Sequence, residues 1–212
     1  MIDLYCERVG AGIWAEPLNV LSNIGFVVAA AVTAGTARAD KRGDSMWLAA
    51  LIFAIGCGST AFHLFANTVT QWLDVVPIAL FQVSFLALFL RRAMAWTRSM
   101  TASAVLLFGI MTLAGNAHAE ILNGSMGYLP SLLVLIALAA NQQRRHRNAM
   151  TLWVACALLL VSLCLRTIDN WLCPLWPLGT HFGWHLLNAV MLCLAVVAYA
   201  RASDPSADSA YR

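Results

Sequence analysis

Seven runs of mostly apolar residues, each near bilayer length, leave this chain few folds to choose from. They fall near 18–37, 46–66, 73–90, 100–117, 127–141, 149–166 and 180–200. A helix rising 1.5 Å per residue needs about 20 such residues to cross the hydrocarbon core. Inside lipid it satisfies its own backbone hydrogen bonds. Composition agrees. Of the 212 residues 61% are hydrophobic and 11% charged, with mean hydropathy +0.74, whereas a soluble domain carries about 25% charged residues. Residues 1–203 are therefore read as one all-α integral membrane domain, a seven-transmembrane helix bundle, and 204–212 as a disordered tail. The N-terminal MIDLYCERVGAG has no basic stretch before an apolar run, so it is not read as a cleavable signal peptide.

The basic residues orient the bundle. Arg38, Lys41 and Arg42 follow the first run, Arg91, Arg92 and Arg98 the third, Arg144, Arg145 and Arg147 the fifth, and Arg201 and Arg212 the seventh. These are alternate loops, so eleven basic residues share one side and only Arg8 and Arg166 fall on the other. The positive-inside rule then places the N-terminus outside and the C-terminus in the cytoplasm. Trp14, Trp47, Trp72, Trp96, Trp171 and Trp176 stand at span ends, as an aromatic belt requires.

Against this apolar background the stretch GCGSTAFHLFANTVTQWLDVVPI carries Ser59, His63 and Asp74, and HFGWH places His181 and His185 four apart on one helix face. Their depths agree. His63 lies sixteen residues past Trp47, His185 sixteen before Arg201, and Asp74 seventeen before Arg91, so each sits about 24–26 Å from the cytoplasmic face. His181 is one turn further out. Three imidazoles beside a carboxylate suit a catalytic zinc, which keeps one coordination position for water and lowers its pKa. Asp74 is then a proton acceptor or an orienting group, and Ser59 a hydrogen-bond donor to a developing oxyanion. Read structurally, the same residues are interhelical hydrogen-bonding groups, and Ser59 bonds its own helix. Spacing fixes depth but not which way the helices face.

Those segments, with YCERVGAGIWAEPLNVLSN and RTIDNWLCP, resemble the alkaline ceramidase family, which is grouped with the adiponectin and progestin receptors among seven-helix membrane hydrolases. The resemblance runs from Cys6 to Asn188. It implies zinc on His63, His181 and His185, with Ser59 and Asp74 assisting hydrolysis of the amide bond of a lipid such as ceramide to a sphingoid base and a fatty acid. It also implies calcium as a second ion on oxygen donors of the acidic N-terminal segment, here Asp3, Glu7, Glu16 and Asn19. The structural alternative is an interfacial segment that caps span one. A Cys6–Cys173 disulfide follows from the resemblance, and both cysteines fall on the outer side, where disulfides persist.

Arg166 and Asp169 are expected to pair with each other, or with Glu7 or Glu16. Gly56 and Gly58 are read as allowing close helix packing, and Asn19, Ser22 and Asn23 as bonding neighbouring helices. The expected partners are a lipid substrate and the bilayer, with no nucleic acid. The short chain points to a bacterial inner membrane, with the site toward the periplasm. The competing function is a zinc-binding receptor or sensor without hydrolase activity, whose structural site would be closed by four protein ligands. A transporter would spread ionisable groups along a path, and the cytoplasmic half of the spans lacks them.

Overall fold

The computed structural model describes residues 1–36, 43–145 and 148–203. Arg38, Lys41, Arg42, Arg147 and the tail 204–212 lie outside the described residues. Within them regular structure is all-helical, and seven helices are long and apolar enough to cross a membrane. The first span is made of two pieces, α1 (Pro17–Ser22) and α2 (Ile24–Thr36), joined at Asn23. Next come α3 (Asp44–Phe65), then α4 (Thr68–Leu88) continued by a π turn through Ala93, then α5 (Arg98–Asn116). A 3-10 segment (Ile121–Tyr128) leads into α6 (Leu129–Arg144), followed by α7 (Met150–Leu172) and α8 (His181–Ser203).

Helices α3 and α8 form the centre. Each packs on α2, and they also touch one another; α4 flanks α3 and α7 flanks α8. Helix α5 is peripheral and buries only Thr101 and Phe108. The core is a continuous apolar cluster that includes Leu48, Ile52, Phe89, Leu159, Val196 and Tyr199. Large apolar side chains such as Leu106, Leu113, Leu160 and Val190 stay on the outside, as a lipid-facing surface requires.

Three spans differ from their expected limits, each for a local reason. The third begins at Thr68 rather than 73, because Asn67 and Thr70 form a reciprocal capping box across a tight turn after Phe65. Asp74 therefore sits nearly two turns inside α4 instead of opening it. The sixth continues past 166 to Leu172, so Arg166 and Asp169 are helical. The fifth starts with the 3-10 segment, where Leu122, Asn123 and Gly124 adopt positive φ.

The α3–α4 contact depends on one glycine. Pro77 has no N–H to bond the carbonyl of Leu73 four residues earlier. That carbonyl oxygen points at Gly58, where a Cβ would come within 1.9 Å of it. Gly56 does the same for α2, since a Cβ there would lie 2.9 Å from that of Phe26. Close packing at both glycines brings the Ser59 turn of α3 against Asp74 of α4. Gly58→Ala should thus cost about 1–3 kcal/mol through overpacking, read as a lower Tm in detergent. Gly12→Ala, with no atom within 4 Å of the new methyl, should leave Tm unchanged.

Candidate metal centre

Close packing of α2, α3 and α8 turns the depth match into a cluster. His63, His181 and His185 each offer a ring nitrogen, and these nitrogens all lie within 4.8 Å of one another. The three residues are 0–2% exposed. His63 Nε2 and His185 Nε2 are 3.2 Å apart. Their other nitrogens are tied down. His63 Nδ1 meets Glu16 Oε2 at 2.5 Å and His185 Nδ1 meets Ser22 Oγ at 2.7 Å. Ser22 donates its own hydroxyl proton to Asn19 O, so it accepts from His185. A carboxylate likewise accepts from His63. Both protons then reside on Nδ1, and both Nε2 lone pairs face each other. Two lone pairs at that distance in a buried site call for a cation between them. Nitrogens at about 2.0–2.1 Å from a tetrahedral zinc stand roughly 3.3 Å apart. The histidine cluster fits a metal ion, with Glu16 and Ser22 in the orienting positions that metal-bound histidines commonly use.

His181 is held differently. Its ring stacks on Tyr5 with centroids 3.7 Å apart, and its Nδ1 is buried without a protein partner. Its backbone N–H, and that of Thr180, donate to Asp169 Oδ1 at 2.9 and 2.6 Å. Asp169 thereby caps the start of α8 from α7, and its Oδ2 accepts from Cys6 N at 3.0 Å. Gly179 is required here. Its φ is +63°, and a Cβ would lie 2.3 Å from Asp169 Oδ1. The expected Arg166–Asp169 pairing does not form, because Asp169 spends its oxygens on three backbone donors. Cys6 is disulfide-bonded to Cys173, with Cα atoms 5.4 Å apart, pinning the N-terminal segment to the end of α7.

Ser59 and Asp74 complete the polar layer. Ser59 Oγ is 3.4 Å from His185 Nε2. Ser59 and Asp74 line a cavity of about 90 Å³ with His181, His185, Tyr5, Gln71 and Arg166. Burial pushes the Tyr5 phenol up to about 12, so it stays protonated. A second, apolar cavity of about 80 Å³ lies alongside and shares Phe26, Ile55, Ile78, Tyr128 and Trp184 with the first.

The acidic N-terminal residues do not fit calcium. Glu7 accepts the N–H groups of Leu18 and Asn19 at 2.6 and 2.8 Å, capping α1, and burial raises its carboxyl above the usual value. Glu16 is bonded by Arg8, Asn19 and His63. Burial would raise its carboxyl too, but the hydrogen bonds from His63 and Asn19 and the charge of Arg8 hold it low. Asp3 is exposed and joins neither. Arg8 is buried, its Nε on Glu16 and its Nη2 on the carbonyl of His63 at 2.8 Å. A calcium ion would have to share Glu16 with a guanidinium already in contact with it. Arg8, Tyr5, Ser22 and Asp169 thus brace the cluster. Among these, the sequence pointed to Ser22, as a residue bonding a neighbouring helix, and to Asp169, as half of an ion pair.

This geometry predicts that calcium or a calcium-selective chelator leaves the wild-type Tm unchanged. Arg8→Gln, with Glu16 left uncompensated, should weaken retention of a metal ion on the histidine cluster by about 10–100-fold, read as metal content after dialysis. Arg8→Lys should recover part of the loss.

A family model described as Ceramidase matches residues 5–210. No curated protein matches the chain. The match runs from Tyr5, stacked on the histidine cluster, past the end of α8, so it covers every helix that builds the centre. The chain belongs to the ceramidase family.

Proposed function

We propose that the chain is a zinc-dependent hydrolase of the membrane interior that cleaves the amide bond of a lipid such as ceramide, releasing a fatty acid and a sphingoid base. The observation that carries this reading is the convergence of His63 Nε2 and His185 Nε2 at 3.2 Å, with Ser59 and Asp74 on the wall of the cavity that His185 and His181 line. His63, His181 and His185 would hold the zinc. Bound there, the metal would supply Lewis acidity to the amide carbonyl and to a water molecule.

The chain's own groups do the rest. Asp74 takes the proton from the attacking water and returns it to the leaving nitrogen. Ser59 donates its hydroxyl to the oxygen that gains charge as the carbonyl carbon becomes tetrahedral. The apolar cavity receives hydrocarbon, and its shared wall with the polar cavity puts the amide at the boundary between them. The receptor reading would need a site closed by four protein ligands. The cluster among the described residues has three, and Asp74 is not one of them, which supports catalysis. The charge asymmetry of the loops supports a site facing away from the cytoplasm.

Two variants test the assignment in purified protein, with fatty-acid release from ceramide and zinc content measured together. His185→Ala should lose most of its zinc and with it all measurable hydrolysis. Asp74→Asn should keep zinc while kcat falls about 10²–10⁴-fold. Zinc binding with no release from ceramide or any N-acyl lipid would sink the hydrolase reading.

A further inference from the structure

Helix α8 carries one more polar side chain on the face of its histidines. Asn188 lies seven residues past His181 and three past His185, so it shares their side of the helix and sits about 4.5 Å deeper than His185. Only 6% of it is exposed. It borders the apolar cavity with Trp184, Tyr128 and Ile78, and those three border the polar cavity as well. An amide therefore stands beside the join between the two cavities.

Its neighbours fix which way that amide points. Nδ2 donates to Ser162 Oγ at 2.6 Å and to Trp184 O at 2.8 Å. A backbone carbonyl can only accept, so the nitrogen has to face it. Ser162 donates its own hydroxyl proton to Trp184 O at 3.4 Å, which leaves its oxygen to accept from Asn188. Both N–H protons of Asn188 are thus committed, and Oδ1 is the atom left over. Among the described residues no donor bonds it. The Oδ1 atoms of Asn19 and Asn23 also lack partners, but they are sealed within the protein, whereas Asn188 Oδ1 keeps access to the cavity.

An amide oxygen has two lone pairs to satisfy, and leaving it bare against hydrocarbon costs free energy. A lipid with an O–H or N–H near the start of its chain supplies the missing donor. Distance selects which one. With the scissile carbonyl at the level of His185, the donor must lie about 4.5 Å deeper. An extended chain advances roughly 1.2 Å per bond, so the donor stands about four bonds from the carbonyl carbon. In a ceramide the amide N–H is too near, while the hydroxyl oxygens on C1 and C3 are both at that separation. C1 ends in its hydroxyl and belongs in the polar cavity. The C3 hydroxyl is carried on the chain that continues as hydrocarbon, and it is the one that passes Asn188.

We propose that Asn188 Oδ1 accepts a hydrogen bond from the C3 hydroxyl of the sphingoid base, and so selects lipid amides that bear a hydroxyl at that carbon. This rests on the amide-hydrolase reading. Ser162 acts through Asn188, by holding the amide nitrogen away from the cavity.

The test uses ceramide, its 3-deoxy analogue and its 1-deoxy analogue, matched in chain length, with wild type, Asn188→Leu and Ser162→Ala. In the wild type kcat/KM should favour ceramide over the 3-deoxy lipid by roughly 10–100-fold, the worth of a hydrogen bond to an otherwise unpaired buried acceptor. In Asn188→Leu that ratio should fall toward one. Ser162→Ala should raise KM for ceramide and leave KM for the 3-deoxy lipid as in the wild type, a split that a merely structural role would not give. A wild-type ratio of one or below overturns the proposal, as does a ratio that Asn188→Leu leaves unchanged. An Asn188-dependent loss that follows the 1-deoxy lipid instead gives the acceptor to the C1 hydroxyl and overturns it too. Thermal shift with the same lipids separates it from the hydrolase reading. If none of the lipids is cleaved, the hydrolase reading fails. A larger Tm shift with ceramide than with the 3-deoxy lipid, levelled in Asn188→Leu, would still support the acceptor, and equal shifts would overturn it. Should Asn188→Leu fail to fold, the wild-type ratio and the Ser162→Ala split decide.

Discussion

Two imidazole nitrogens that both present lone pairs repel each other, and His63 and His185, both buried, hold theirs 3.2 Å apart. What forces them together lies one bond further out. The Glu16 carboxylate and the Ser22 hydroxyl take the Nδ1 protons, so each ring is fixed in tautomer and direction before any ion arrives. That demand explains the interrupted first span. Glu16 lies before α1, Asn19 and Ser22 lie in it, and all three must reach inward at the level of His63 and His185. A short helix ending at Asn23 delivers them, and α2 then continues across the membrane.

A ring held this firmly needs backbone that does not move, and the outer end of the bundle is built accordingly. Asp169 clamps the first N–H groups of α8 and the N–H of Cys6 with one carboxylate. Glu7 does the same for α1. The Cys6–Cys173 bond closes the loop between them, and Ile2 N donates to Ala66 O at the end of α3. The N-terminal segment is thus a strap across the outer ends of α1, α3, α7 and α8. Tyr5 hangs from it against His181 and Arg166. The strap covers the cluster at this end of the bundle, and the apolar cavity bounded by Phe26, Ile55, Ile78, Tyr128 and Trp184 adjoins the polar one.

Periodicity and hydropathy made the seven helices legible, and depth counting brought His63, Asp74 and His185 to one layer. Both work because membrane thickness imposes a ruler on the sequence. The ends of the spans were less readable, since Thr68, Thr70 and Gln71 are polar yet helical once Asn67 caps them, and Arg166 and Asp169 remain helical beyond the apolar run. Azimuth was not readable at all. It depends on Gly58 and Pro77 letting Leu73 approach α3, a contact between residues fifteen apart with no periodic signature. The acidic segment shows the same limit. Glu7 and Glu16 look like a ligand set until Arg8 is seen beside Glu16, and nothing in the spacing of an arginine eight residues before a glutamate says that they touch.

The charge pattern nevertheless held a clue to the site. Thirteen basic residues divide eleven to two between the alternate sets of loops, and the two exceptions, Arg8 and Arg166, are the two that end beside the histidine cluster. A basic residue on the disfavoured side works against topology, and one inside the bundle works against solvation, so each needs a local partner to remain. Arg8 has Glu16. Arg166 has three aromatic rings, the Tyr5 phenol among them, and none of them is charged. The fold pairs Arg8 with a carboxylate of its own chain and sets Arg166 among aromatic rings on the wall of the polar cavity.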